Sequence, residues 1–299
     1  MIAVSIIAAS FSIRYALCND EEIRRYSYTE RRELLWDEGK PLIIRESGGT
    51  IYARGWKKDE IKIKAVKTAY APQLSIARRN AALLRVAIES PHDKVAVRTV
   101  NPTLRTGDVR SYVDYSLSVP RGIDLDLKSV EGTIYALKIE GAVTVRTASG
   151  AIHFRDITGH AVADSETGDI FAEDCTNLAS AKTVSGDIAF SIVKNTPESD
   201  MYLNTEGGNV TIDFVEETPL ILVVHAGEEK TDSSEASITV STEPGEETED
   251  TDDSLETRKY YSGGGGVFIR VTAASGTVTI KTTPRQEENS RKRNRPEEQ

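Results

Sequence analysis

The stretch TGDIFAEDCTNLASAKTVSGDI, residues 167–188, contains one short phrase twice. T-G-D-I opens at Thr167, and S-G-D-I opens at Ser185, eighteen residues later. Asn177 stands halfway between the glycines of the two phrases, Gly168 and Gly186. A phrase that returns at a fixed interval is typical of repeat architectures, in which each unit stacks on the unit before it.

An interval of nine residues extends this pattern upstream. It is marked by Gly132, Gly141, Gly150, Gly159, Gly168, Asn177 and Gly186. Asparagine is the residue that, after glycine, most readily enters the left-handed backbone region. The spacing therefore predicts a tight turn at each of these seven positions, and the residue types predict a positive φ there.

Apolar residues follow each turn at alternate positions, which is typical of a strand with one buried face. Two residues after the turns stand Ile134, Val143, Ile152, Ala161, Ile170, Ala179 and Ile188; four residues after them stand Ala136, Val145, Phe154, Ala163, Ala172, Ala181 and Phe190. Every second unit thus supplies an isoleucine, and the units between supply smaller residues. The sequence predicts an all-β fold, a single-stranded parallel β-solenoid with two-strand coils of about eighteen residues. Its core ladder is Ile134, Ile152, Ile170 and Ile188.

The outward positions fit the same period. Tyr135, His153 and Phe171 would form one outward aromatic row, and Arg155 would lie beside Glu173. Neighbouring aromatic or oppositely charged side chains stabilise adjacent strands. The row is the candidate binding surface of the chain. The alternative is that the N-terminal region or residues 72–90 cover it as ordinary packing.

The remainder divides by composition. Residues 1–18 have the apolar character of a signal peptide, although a buried first strand is the alternative, and their apolar run is too short to cross a bilayer. Residues 19–39 are interpreted as an N-terminal cap or linker, and 40–283 as the solenoid. Within the solenoid, the apolar residues of 72–84 have helical spacing, although Leu84, Val86 and Ile88 also fit a strand. The sequence predicts a long acidic loop over residues 227–262. Residues 284–299 are expected to be a disordered tail.

Charge and cysteine content exclude several classes of function. The net charge of −10 argues against a nucleic-acid partner. Two cysteines, Cys18 and Cys175, and four scattered histidines offer no metal-binding pattern, so we expect no metal and no cofactor. Cys175 falls in an apolar phase of the repeat and is interpreted as a small core residue.

Several longer phrases resemble one known family. These are SGGTIYARGWKKDEIKIKA (47–65), YSLSVPRGIDLDLKSVEGTI (115–134), the TASGAI, ETGDI and TVSGDI repeats, and AASGTVTI (273–280). Together they resemble the bacterial adhesin-like family of β-strand-repeat proteins, a domain of unknown function. The resemblance covers about residues 40–283. It implies a β-solenoid in exported or envelope-associated proteins, without an established enzymatic activity.

Three functions are compatible with such a chain. The first is a non-enzymatic, exported binding module of the periplasm or cell surface, with a cell-surface glycan or an envelope protein as partner. The second is a polysaccharide-acting enzyme, for which Asp169 and Asp187 are the candidate paired carboxylates, although turn chemistry also explains them. The third is a self-assembling scaffold, against which charged ends favour a monomer or small oligomer. We favour the first.

Overall fold

The structure is a computed structural model that describes residues 23–100, 110–192, 196–216, 218–226, 236–240, 248–249, 256–264 and 266–283. The predicted signal peptide (1–18) and the predicted tail (284–299) lie outside these residues. The first half of the chain contains β1 (Arg24–Leu35), β2 (Leu42–Arg45), β3 (Ile51–Trp56), β4 (Glu60–Ala71), α1 (Leu74–Leu83), β5 (Arg85–Glu89), β6 (Val95–Val100), β7 (Arg110–Pro120), β8 (Leu125–Lys128), β9 (Ile134–Leu137) and β10 (Val143–Thr147). The second half contains β11 (Ile152–Arg155), β12 (Ala161–Ser165), β13 (Ile170–Glu173), β14 (Leu178–Thr183), β15 (Ile188–Ile192), β16 (Met201–Thr205), β17 (Val210–Val215), β18 (Leu220–Ala226), β19 (Ala236–Val240), β20 (Thr248–Glu249), β21 (Glu256–Ser262), β22 (Val267–Ala273) and β23 (Gly276–Thr283).

The strands form two sheets, and between β8 and β17 the chain visits them alternately. Sheet A has the order β1-β4-β7-β3-β9-β11-β13-β15-β17-β23-β19, and sheet B has the order β20-β21-β18-β22-β16-β14-β12-β10-β8-β2-β6-β5. Central neighbours pair in parallel, as β11 does with β9 and β13. Antiparallel pairs are found towards the ends, for example β1 with β4 and β5 with β6. The predicted parallel solenoid with two strands per coil is confirmed.

The core lies between the sheets. Ile152 pairs with Ile134 on one side and with Ile170 on the other, and Ile170 pairs in turn with Ile188. All four isoleucines are at most 1% exposed. Burying each such side chain contributes on the order of 1.5–3 kcal/mol to stability. The eighteen-residue period therefore places equivalent apolar side chains directly beside one another on adjacent strands of sheet A.

The prediction of positive φ at the seven turn positions is wrong. The described non-glycine residues with positive φ are instead Lys138, Asp156 and Asp174, which follow β9, β11 and β13. The glycines are required for a different reason, which is the close approach of successive coils. A Cβ placed on Gly168 would lie 2.0 Å from the carbonyl oxygen of Gly150, and no such contact fits a folded backbone.

The same close approach recurs along the stack. A Cβ on Gly132, Gly141, Gly150, Gly159 or Gly186 would come within 1.8–2.3 Å of a carbonyl oxygen of the preceding rung. Glycine is therefore retained for the space that it leaves rather than for the dihedral angles that it allows.

The repeat is irregular at Asn177 and Ala179, where the predicted turn and buried position are both wrong. Asn177 carries a Cβ, so it cannot stack as closely as the glycines do, and φ at Asn177 is not positive. The strand that follows enters with a one-residue bulge: Ala161 pairs with Leu178, whereas Val162 pairs with Ser180. Leu178 therefore takes the buried position that the period assigns to Ala179, which is only partly buried.

Buried hydroxyl groups hold the glycine turns that lead from a strand of sheet B into a strand of sheet A. A Ser or Thr stands three residues before each glycine, and its oxygen accepts a hydrogen bond from the glycine N–H. These bonds measure 2.8–3.1 Å at Ser129–Gly132, Thr147–Gly150, Ser165–Gly168, Thr183–Gly186 and Thr205–Gly208. The column satisfies backbone donors that the turn would otherwise bury without a partner.

Residues 72–90 contain both of the features expected of them. Helix α1 buries Ala77, Asn80 and Ala81 and packs against β1 and β4 at the end of sheet A. After it, β5 pairs with β6 and forms an edge of sheet B. Residues 23–39 of the predicted cap or linker include β1, the edge strand of sheet A.

The prediction of an acidic loop over 227–262 is wrong for the part that the structure describes. Three strands lie in this interval: β19 pairs with β23, β21 pairs with β18, and the short β20 pairs with β21. Of these, β19 is an edge strand of sheet A and β20 is an edge strand of sheet B, whereas β21 lies between β20 and β18. Residues 227–235, 241–247 and 250–255 lie outside the described part of the chain.

Candidate binding surface

The aromatic row lies on the outer face of sheet A. The ring centroids of Tyr135 and His153 are 4.6 Å apart, and those of His153 and Phe171 are 4.7 Å apart. The interplanar angles are 8° and 7°, so the three rings are stacked. The spacing follows the distance of about 4.8 Å between neighbouring strands. The structure thus brings together the three residues that the sequence selected.

A fourth ring, which the sequence analysis missed, extends the row. Tyr52 of β3 pairs with Tyr135, and their ring centroids are 5.8 Å apart in a tilted arrangement. The signal was present, because G-T-I-Y-A occurs at both 49–53 and 132–136. It was obscured by the 57–120 segment, whose strands and helix separate two neighbouring rungs in sequence but not in space.

The row remains accessible to solvent. Tyr52 is 36% exposed and Phe171 is 39% exposed, while Tyr135 and His153 between them are partly buried by their neighbours. Helix α1, one candidate to cover the row, packs on β1 and β4 instead. No described segment therefore buries the two end rings of the row.

The surroundings of His153 favour the neutral form of its imidazole. Desolvation and, to a smaller extent, the nearby Arg155 lower the pKa of His153 below its usual range. Two residues further along the strands, Arg155 is paired with Glu173, with a 2.6 Å bond from Nε. This pair borders the row without placing a net charge on it.

Asp169 and Asp187 lie on the other border of the row and hold the backbone of the next coil. Asp169 Oδ1 accepts a 2.9 Å hydrogen bond from the N–H of Asp187, and Asp187 Oδ1 accepts a 2.7 Å bond from the N–H of Asn209. Asn209 Oδ1 continues the series by accepting a 2.9 Å bond from the N–H of Thr277. Their principal structural role is to cap strands across coils.

Cys175 is a core residue rather than a surface thiol. It is 1% exposed, and burial raises the pKa of its thiol to about 12. A thiol with this pKa stays protonated near neutral pH and is a poor nucleophile. Across the described residues, no group of three or more His, Cys, Asp or Glu side chains is arranged to hold a metal ion.

A second exposed aromatic surface lies on sheet B and was not anticipated. Tyr202 and Phe268 are about half exposed, at 51% and 48%, and the guanidinium of Arg270 lies 5.9 Å from the centre of the Tyr202 ring. With Asp200, Met201 and Val223 they line a shallow cavity of about 200 Å³. Sequence reasoning could not find it, because Tyr202 and Arg270 become neighbours only when β22 pairs with β16.

Helix α1 is ten residues long, and the described part of the chain contains no helix with the length and apolar character of a bilayer-crossing span.

Comparison with solved structures finds distant similarity. A candidate cell adhesion protein from Clostridium sporogenes ATCC 15579 is 10% identical over 86% of this chain and 100% of its own, with a TM-score of 0.35. A candidate adhesin from Bacteroides fragilis NCTC 9343 is 13% identical over 85% of this chain and 97% of its own, with a TM-score of 0.32. A candidate lipid-binding protein from Parabacteroides distasonis ATCC 8503 is 11% identical over 85% of this chain and 96% of its own, with a TM-score of 0.38.

Comparison with curated proteins gives no match. The profile of one family, Toastrack DUF4097, matches residues 38–281, which include β2 to β22 and most of β23. On the extent of that match, this chain belongs to the Toastrack DUF4097 family.

Proposed function

We propose that this chain is a non-enzymatic binding module that is exported to the periplasm or cell surface, and that it contacts a glycan through the aromatic row of Tyr52, Tyr135, His153 and Phe171. The observation that carries the proposal is the alignment of four rings on one solvent-accessible sheet face. The core places no requirement on these outward positions. Exposed apolar surface of this kind is typical of interaction sites.

The dimensions and charge of the row favour an extended, uncharged ligand. Four rungs at the strand spacing span about 14 Å between the first and last rings. Aromatic rings offer apolar surface with little conformational entropy to lose on binding. The polar side chains on both borders, including Asp187 and Glu173, would face the hydroxyl groups of a sugar chain. A glycan combines the apolar faces and the polar edges that such a surface accommodates.

Both candidate catalytic carboxylates bind backbone N–H groups, which supports a non-enzymatic role. Asp169 and Asp187 each bind a backbone N–H of the next coil through Oδ1. These bonds give both carboxylates a structural use, because each one satisfies a backbone donor at a turn between coils.

Binding to an immobilised glycan panel tests the role of the row. The double variant Tyr135→Ala/Phe171→Ala is compared with wild type and with Tyr202→Ala, which removes an exposed tyrosine from sheet B. We expect the double variant to lose binding and the control to retain it, with circular dichroism showing that each variant is folded. Equal binding by wild type and the double variant would remove the row from the proposed function.

Export is tested separately. Cell fractionation followed by N-terminal sequencing of the mature chain is expected to place the protein outside the cytoplasm and to find that the apolar run within 1–18 has been removed. A cytoplasmic protein that retains Met1 would contradict the exported role while leaving the chemistry of the row intact.

A further inference from the structure

The aromatic row ends on both sides beside a small residue: Tyr52 is followed by Ser116 of β7, and Phe171 by Ala189 of β15. The ring of His153 has a ring stacked on each face, Tyr135 on one side and Phe171 on the other. Phe171 has a ring on one face only, because its partner on the other side, in β15, is Ala189. The second face of the Phe171 ring is therefore next to the methyl group of Ala189 and is not covered by a large side chain.

The residue beyond Ala189 on the outer face has a larger side chain than alanine. Ala189 pairs with Thr211 of β17, so Phe171 and Thr211 lie two strand spacings apart, about 9.6 Å. This leaves a notch one rung wide, with the Phe171 ring as one wall, Ala189 as the floor and Thr211 as the other wall. A flat ring placed over Ala189 would lie at about the 4.7 Å spacing that separates His153 from Phe171.

Polar groups border the notch on both sides. Asp169, Asp187 and Asn209 stand two residues before Phe171, Ala189 and Thr211, and Glu173 and Asp213 stand two residues after Phe171 and Thr211. Glu173 is paired with Arg155, and Asp213 has Lys281 beside it on β23, so the negative balance of charge at the border comes from Asp169 and Asp187. Anionic ligands are therefore disfavoured by repulsion and by the cost of desolvating like charges.

We propose that this notch is a subsite for a single uncharged pyranose ring, which takes the place of the missing aromatic rung. The apolar face of the sugar would stack on Phe171, and its equatorial hydroxyl groups would reach the carboxylates of the border. The inference rests on the proposed function, since it assumes that the aromatic row binds glycan. Beyond that function, the inference states where one sugar ring binds and predicts that acidic sugars are excluded.

The substitution Ala189→Phe provides the direct test, because it completes the ladder and fills the notch. Cross-strand aromatic pairs stabilise a sheet, so the variant is expected to unfold at the same temperature as wild type or a higher one. Binding is expected to weaken by at least about tenfold. Binding would thus weaken without a loss of stability, which a general structural defect does not produce.

Two further variants complete the comparison. Thr279→Phe adds a ring to the same face in β23, beyond the notch, and is expected to leave binding unchanged. Phe171→Leu keeps apolar bulk but removes the ring face, and is expected to weaken binding as Ala189→Phe does. If Ala189→Phe fails to fold, Ala189→Leu takes its place, because it fills the notch with a smaller side chain and is likewise expected to weaken binding.

Isothermal titration with defined probes gives the readout. The neutral probes are cellohexaose, mannohexaose, xylohexaose and chitohexaose, and the acidic probe is hexagalacturonate. The expected result is that at least one neutral probe binds wild type and Thr279→Phe alike but binds Ala189→Phe and Phe171→Leu weakly, while hexagalacturonate binds none of them.

Equal binding of a neutral probe by wild type and Ala189→Phe would overturn the subsite while leaving the proposed function of the row in place. Tighter binding of hexagalacturonate than of any neutral probe would overturn the selectivity. If no probe binds the folded wild type, the subsite and the proposed glycan function both fail.

Discussion

Replacing Gly168 by alanine tests the reason why glycine recurs along the chain. The new Cβ would lie 2.0 Å from the carbonyl oxygen of Gly150, whereas Cβ atoms essentially never approach other heavy atoms within 3.0 Å. The two coils must therefore separate by about 1 Å at this point. Both groups belong to the backbone, so no side-chain rotation relieves the contact.

The magnitude follows from what the separation disturbs. Overpacking of a well-packed interior costs about 1–3 kcal/mol. Two backbone hydrogen bonds join the same coils, from Thr167 N–H to Ala148 and from Ile152 N–H to Asp169, at 2.8 and 2.9 Å. Weakening them adds up to about 0.5–1.5 kcal/mol each. The restriction of the unfolded chain by alanine offsets about 0.4–1 kcal/mol. The net loss of unfolding free energy is expected to be about 1–6 kcal/mol.

Urea denaturation followed by circular dichroism measures this loss against two comparisons. Gly122→Ala is the matched control, because a Cβ there meets nothing within 4 Å, and it is expected to be within about 1 kcal/mol of wild type. Gly168→Asn separates the two explanations for glycine. If left-handed dihedral angles were needed, asparagine would be tolerated better than alanine. Close approach predicts that asparagine is at least as damaging, since it carries the same Cβ. A Gly168→Ala protein as stable as Gly122→Ala would refute the reasoning.

Three further outcomes follow from buried polar groups. Thr183→Val should lower the free energy of unfolding by about 1–3 kcal/mol in urea titrations, because the Thr183 hydroxyl accepts from Gly186 N–H and donates to the Gly168 carbonyl, and Thr183→Ser should restore most of the loss. Desolvation raises the pKa of Glu46, so its contribution to stability is present below the ordinary carboxyl pKa and is lost as pH rises through the raised value. Glu46→Gln should therefore flatten the fall in unfolding free energy between mildly acidic and neutral pH, and an unchanged slope would contradict this. Cys175 should resist thiol-specific labelling at neutral pH until urea unfolds the chain, as peptide mass spectrometry would show; rapid labelling of the folded protein would contradict its burial.

The parts of the fold that the sequence predicted are those imposed by regular stacking. A narrow interior between two sheets must be filled by side chains that repeat with the coil, so the isoleucines and the stacked rings at 135, 153 and 171 share one period. The period identifies neighbours wherever consecutive coils have the same length. It fails at Tyr52, which reaches its neighbour across the 57–120 segment, and at Tyr202 and Arg270, which are brought together by β22.

The glycine positions show a different limit. A glycine signals that a Cβ is not tolerated, but a left-handed backbone and a close backbone approach both produce that signal. Asn177 suggested the first explanation, and only coordinates distinguish the two, because the obstructing carbonyl belongs to the previous coil. The bulge that follows Asn177 has the same origin, and it moves Leu178 rather than Ala179 into the core.

On the outer face of sheet A, the stability of the sheet explains some of the outward side chains but not all of them. Stacking of neighbouring rings stabilises the sheet, so the interior of the aromatic row has a sufficient structural explanation in pairs worth about 0.2–1 kcal/mol each. That explanation favours an aromatic or long side chain at every rung, including the one beside Phe171. Ala189 stands there instead and leaves one ring face open to solvent, with Phe171 39% exposed. The ladder accounts for the rings between Tyr52 and Phe171, and the open face of Phe171 is the surface on which the proposed sugar ring would stack.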